Sequence, residues 1–149
     1  MTFIKYLYTL ENGSVCIYPD YKNKIQNRES FPDTITDELN KVLQIYGGNN
    51  RRFIILVDLT KVKMNCEQAT SNIFFYRKLK ARMEKEFPDK LEKIIIYDYT
   101  DSTIFLLNIL KLILDKELRD KIIVDRNYKM FINSKIITNV TANNNGLHC

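Results

Sequence analysis

Residues 53–58 read Phe-Ile-Ile-Leu-Val-Asp, an unbroken β-branched and aliphatic run closed by an acid. A strand wetted on one side alternates apolar and polar residues, so a run without alternation needs apolar cover on both faces, as a central strand of a parallel sheet has. Forward from this strand, a helix is predicted from about Cys66 to Glu86, with Ala69, Ile73, Tyr76, Leu79 and Met83 on one face, Arg77, Lys78, Arg82 and Lys85 largely elsewhere, and Pro88 ending it. Ile94-Ile95-Ile96-Tyr97 reads as a second buried strand, an apolar helix capped by Asp101 or Ser102 runs to Leu114, and Lys121-Ile122-Ile123-Val124 is a third strand. Strand, helix, strand, helix, strand is the order that right-handed crossovers turn into a parallel sheet.

Backward from residue 53, Gly47-Gly48-Asn49-Asn50 stops a helix that begins near Phe31 and runs to about Tyr46, with Asp33 or Thr34 as its cap. Before it, Phe3 to Thr9 and Ser14 to Tyr18 flank Glu11-Asn12-Gly13, and Asn-Gly between apolar runs is a hairpin signal. The fold class is therefore α/β: a mostly parallel β-sheet with right-handed helical crossovers and an N-terminal antiparallel hairpin. Residues 1–149 suit a single domain. A short helix from Asn127 to Ser134 and a mobile tail over 136–149 are expected after the last strand.

Hydrophobic residues at 45% and charged residues at 28% are ordinary for a globular protein, and nothing resembles a signal peptide or a membrane span. Cys16, Cys66 and Cys149 are widely spaced and odd in number, which argues against a disulfide framework or a zinc site and fits a reducing cytoplasm. The sequons at Asn12 and Asn139 are accordingly expected to carry no glycan. A net charge of +5 comes with a composition in which Ile, Lys and Asn supply 50 of 149 residues, so base composition alone can account for the excess. No recognised motif or Gly/aromatic platform accompanies it, and nucleic acid is not an expected partner. An anionic membrane surface needs only such a mild excess.

The stretch 104–114, Ile-Phe-Leu-Leu-Asn-Ile-Leu-Lys-Leu-Ile-Leu, is apolar at nine of eleven positions. At about 100° per residue, Ile104, Asn108, Lys111 and Asp115 share one narrow stripe, which leaves the helix two apolar sides. It is too short to cross a bilayer, which takes roughly 20 residues. One side packs on the protein, and the other needs core, lipid or another protein.

The order and spacing of the pieces from about Arg51 to Val124 resemble the CRAL-TRIO domain, a lipid-binding family. Four landmarks carry the resemblance: the strand ending Ile55-Leu56-Val57-Asp58-Leu59-Thr60; Phe87-Pro88-Asp89-Lys90-Leu91, similar to that family's Tyr-Pro-Glu-Arg-Leu; the apolar helix Ser102 to Leu114; and Lys121-Ile122-Ile123-Val124. Residues 1–50 match in their pattern of strands and a helix. The preceding helical domain that often accompanies the fold is not seen, and Leu118 stands where the family has a phosphate-contacting Thr.

The resemblance implies that Ser102 to Leu114 is a gate helix over a lipid pocket, with Phe105, Leu106, Ile109, Leu110, Ile113 and Leu114 as gate and acyl-chain contacts. It assigns Asp89 and Lys121 to a phosphoinositide head group, a carboxylate for inositol hydroxyls and an ammonium for phosphate. From the residues of this chain, not from the resemblance, Lys116 or Arg119 is expected to compensate for Leu118 as a basic contact. Asp58, at a strand end, resembles the family's structural Asp. The implied function is non-enzymatic binding and intermembrane transfer of phospholipid, phosphatidylinositol first, by a cytoplasmic protein that touches membranes transiently. Its ligand is the phospholipid, with no cofactor, metal or catalytic residue. The alternative is a scaffold of the same fold that binds small GTPases or their regulators. From the residues alone, Tyr6, Tyr8, Tyr18 and Tyr21 are packing aromatics and Arg51 and Arg52 are solvated.

Overall fold

The computed structural model describes residues 2–23, 25–61, 67, 72–97 and 104–125. Five strands lie in one sheet in chain order: β1 (Ile4–Thr9), β2 (Val15–Pro19), β3 (Phe53–Asp58), β4 (Leu91–Tyr97) and β5 (Ile122–Val124). β1 and β2 form the antiparallel hairpin, with Thr9 opposite Val15, and every later pairing is parallel. The turn between them needs Gly13, whose φ of 89° lies in the left-handed region.

Helix α1 (Phe31–Tyr46) connects β2 to β3. A 3-10 turn (Leu59–Lys61) and α2 (Ile73–Glu86) follow β3, and α3 (Ile104–Ile113) and the single turn α4 (Lys116–Arg119) lead from β4 to β5. Each parallel step moves the same way across the sheet, so crossovers of one hand set the helices down on one face. Leu39 and Leu43 of α1 and Met83 of α2 pack with Val15, Ile17 and Phe53, and Leu107 of α3 packs with Ile94 and Ile96. α1 lies against α2, and α2 against α3. The alternate residues Cys16, Ile54, Leu56, Ile95 and Tyr97, joined by Tyr8, form a separate core on the other face. β3 is thus covered on both faces, as its unbroken apolar run requires.

One helix cap and one strand boundary differ from the sequence expectation. α1 starts at Phe31 behind Ser30, and neither Asp33 nor Thr34 is the cap, because Pro32 sits in the first turn, where its fixed φ is already helical and no N–H is needed. The Thr34 N–H then bonds to the Ser30 carbonyl at 3.0 Å. At the other end Gly47 stops the helix by closeness rather than by a left-handed φ: a Cβ there would stand 2.5 Å from the Leu43 carbonyl oxygen. β4 begins at Leu91, three residues before the predicted Ile94. The start of the 66–86 helix before Asn72 (Glu67 apart), the caps Asp101 and Ser102, the 127–134 helix, the 136–149 tail, Cys66 and Cys149 lie outside the described residues.

The hairpin tyrosines pack, as read from the residues. Tyr8 is in the core, Tyr18 lies against it, and Tyr6 stacks on Tyr46 with ring centres 3.7 Å apart. Tyr21 accepts a hydrogen bond from the Asp58 N–H at 2.8 Å, and burial pushes its phenol well above the ordinary value. Asp58 is itself buried and accepts from the Thr60 N–H and hydroxyl, which closes the chain reversal after β3.

Candidate functional site

The amino edge of the parallel strands gathers the polar residues singled out in the sequence. α2 ends at Glu86, and a turn through Phe87, Pro88 and Asp89 delivers the chain to β4, closed by the Lys90 N–H on the Phe87 carbonyl at 3.2 Å. Proline suits the second position of such a turn, and the third position, Asp89, lies in the left-handed region at φ 58°. The Asp89 side chain is exposed and forms no ion pair among the described residues.

Lys121 enters β5 beside it. Its ammonium donates to the Leu91 carbonyl at 2.9 Å, lies 3.9 Å from a Glu117 carboxylate oxygen, and its side chain is 25% exposed. Asp89 and Lys121 therefore share one edge, as the parallel register requires, without pairing with one another. The Lys121 carbonyl accepts from the Ile94 N–H at 3.0 Å, which seats β5 on β4.

Lys116 and Arg119 are exposed on α4, one corner before Lys121. That turn depends on Asp115, whose side chain caps the Leu118 N–H at 3.0 Å. This hydrogen bond, and after it the Lys80 ammonium at 3.3 Å, holds the Asp115 carboxyl below its usual range. Burial pulls the Lys80 ammonium down, but its bonds to Glu84 and Asp115 outweigh that and leave it raised.

Sequence reasoning missed a neighbouring cluster at this edge. Pairing slips between Phe53 opposite Leu91 and Ile54 opposite Lys93, so Glu92 sits in a bulge. Its carboxylate accepts from the buried Ser14 hydroxyl and lies 3.5 Å from the Arg52 guanidinium. Arg52 is thus tied to the sheet rather than simply solvated. The only sequence signal was an acid, followed by Lys93, just ahead of the apolar run Ile94 to Tyr97.

α3 has Leu107 buried at 5% exposure, with Phe105, Ile109 and Leu114 packed around that cluster, yet Ile104 is 42% and Leu112 66% exposed. The side chains of Leu106, Leu110 and Ile113 lie outside the described residues. A recess of about 210 Å³ opens at the other edge of the sheet, lined by Phe3, Gln26, Asn27, Ser30, Phe31 and Thr34. It is smaller than the roughly 300–1,000 Å³ of ordinary ligand pockets and far along the fold from Asp89 and Lys121.

Among the described residues no group of His, Cys, Asp and Glu could hold a metal ion, and no helix is long and apolar enough to cross a membrane. A family model described as the CRAL/TRIO domain matches residues 11–140. The chain belongs to the CRAL/TRIO domain family. No curated protein matches it. The CRAL/TRIO match reaches beyond the four landmarks between Arg51 and Val124 to take in β2 and α1 as well. CRAL/TRIO domains bind and transfer lipophilic ligands and are generally not enzymes, so the coarse function of this chain is lipid binding.

Proposed function

We propose that this CRAL/TRIO protein binds a phospholipid, phosphatidylinositol first, and carries it between membranes under α3 as a movable cover. The observation that supports this best is the exposure of α3. Leu107 and Leu112 stand about 140° apart on the helix, and one is buried on the sheet while the other is largely in water. A helix that only fills a core hides its leucines. A cover needs apolar residues outside as well, to meet a bilayer interface when it opens.

In this reading the protein is cytoplasmic and visits an anionic leaflet transiently. Acyl chains enter behind α3, driven by roughly 0.8 kcal/mol per methylene removed from water. Asp89, exposed and without an ion pair among the described residues, accepts from inositol hydroxyls, while Lys121 gives up Glu117 for the phosphate, with Lys116 and Arg119 beside it. The phospholipid is the ligand and no cofactor takes part.

The test is to incubate the protein with mixed liposomes, re-isolate it, and identify bound lipid by mass spectrometry, alongside transfer of a fluorescent phosphatidylinositol. Lipid bound at about one per chain is expected, and a protein re-isolated empty defeats the proposal. Lys121→Glu is expected to lower transfer at least tenfold with little change in melting temperature. Equal loss of both would make Lys121 a structural residue. Exposure of Leu112 also suits a scaffold that binds small GTPases or their regulators, and an empty protein that captures such a partner would favour that reading.

A further inference from the structure

The outward face of α2 carries a stripe that neither the core nor the candidate head-group site uses. Phe74, Arg77, Lys78, Ala81 and Lys85 fall within an arc of about 100° of the helix, and all are exposed. The opposite side of the helix, with Ile73, Tyr76, Leu79 and Met83, is the half-buried one.

The charges of α2 are sorted between these two sides. Its acids are taken by cations nearer the protein: Glu84 pairs with Lys80 at 3.2 Å and Glu86 with Arg82 at 3.3 Å. Two acids from neighbouring segments, Asp115 and Asp33, reach the same two cations at 3.3 and 2.9 Å. Arg77, Lys78 and Lys85 are left with no ion pair among the described residues. At the head of this stripe Phe74 is 77% exposed, a phenyl ring with almost no packing role.

We infer that this stripe is the surface by which the protein docks on an anionic bilayer, with α2 lying flat and Phe74 entering the interface. Charge complementarity selects the occupant. Three cations with no ion pair among the described residues, spread over about 12 Å of helix, match a plane of anionic head groups, and an exposed aromatic ring beside them is stabilised only where an apolar layer lies within reach. α3 packs beside α2 on the same face of the sheet and exposes Lys111 and Leu112, so docking through α2 brings the proposed cover to the same surface. This deepens the carrier reading and rests on it for the reason a membrane is visited.

The test is sedimentation of the full chain with phosphatidylcholine vesicles, with and without about one-fifth phosphatidylserine. Wild type is expected to bind the anionic vesicles only, and to be released as salt rises toward about 0.5 M, where screening is nearly complete. Each cation is worth about fivefold at such a surface, so Lys78→Glu with Lys85→Glu should weaken binding by at least about 25-fold. Phe74→Ala should weaken it several-fold at an unchanged melting temperature.

Failure of the wild type to bind anionic vesicles, or stripe variants that bind as wild type does, overturns the docking assignment. So does an RNA of about 30 nucleotides bound more tightly than the vesicles and lost with the same charge reversal. Mass spectrometry of bound lipid keeps the two proposals apart. A loaded protein with an inert stripe leaves the carrier standing and removes the dock, whereas an empty protein whose stripe still drives vesicle binding does the reverse.

Discussion

Asp89 holds a backbone role, and the proposed head-group role would be added to it. Its φ of 58° is a conformation in which Asp and Asn are tolerated and β-branched residues are strained, so part of the Phe-Pro-Asp-Lys signature is the demand of a turn. Asp89→Asn keeps that tolerance and removes the charge. Stability to urea should stay within about 0.5 kcal/mol of wild type, while phosphatidylinositol transfer falls several-fold. Asp89→Val should cost about 1–2 kcal/mol through the backbone. If transfer is normal in the Asn variant and lost only in step with stability in the Val variant, the residue serves the turn alone. The shape of this turn was not legible beforehand, because proline announces a turn but the sign of the next φ depends on where β4 must start.

At the scale of elements, α3 is the case in which amphipathic reading went furthest. Two apolar sides were expected, and one shows as Leu107 against Ile94 and Ile96, the other in the exposure of Leu112. Leu107→Ala should therefore destabilise the fold by about 2–5 kcal/mol. Leu112→Asp should leave urea stability nearly unchanged while lipid transfer drops, and an equal loss of stability in both variants would make α3 an ordinary core helix.

α4 is a weaker element, one turn held by a cap. The Asp115 carboxyl is held below its ordinary value of 3.8, so its contribution is full above that pH and is lost as pH falls through the lower folded-state value. Chemical denaturation between about pH 6 and 2 should show the wild type losing stability relative to Asp115→Asn across this range, and parallel curves would deny the cap its role.

The whole molecule is a sheet with helices on one face and a second core on the other, and its stability is not evenly spread. β3 is paired on both sides and covered on both faces, whereas α3 ends the helical row and leaves its outer residues in water. Amide hydrogen exchange is expected to be slowest in β3 and β4 and clearly faster in α3, with the gap widening on anionic vesicles. Protection of α3 equal to that of β3, with or without vesicles, would speak against a cover that opens. The basic stripe on α2 belongs to this scale too. The sequence reading had set Arg77, Lys78 and Lys85 apart from the apolar face, but which cations stay unpaired depends on Asp33 and Asp115, brought in by other segments.

The residues by themselves determined the succession of strands and helices, the hairpin, the burial of β3 and the two-sided nature of 104–114, because each follows from a local period and from the apolar character of a few neighbours. The tertiary structure alone decided that Lys121 holds the Leu91 carbonyl rather than Asp89, and that Glu92 leaves the ladder to meet Ser14 and Arg52. These depend on strand register and on how segments 30 to 80 residues apart meet. A slip of one residue there sends a side chain to the opposite face while leaving every local pattern unchanged.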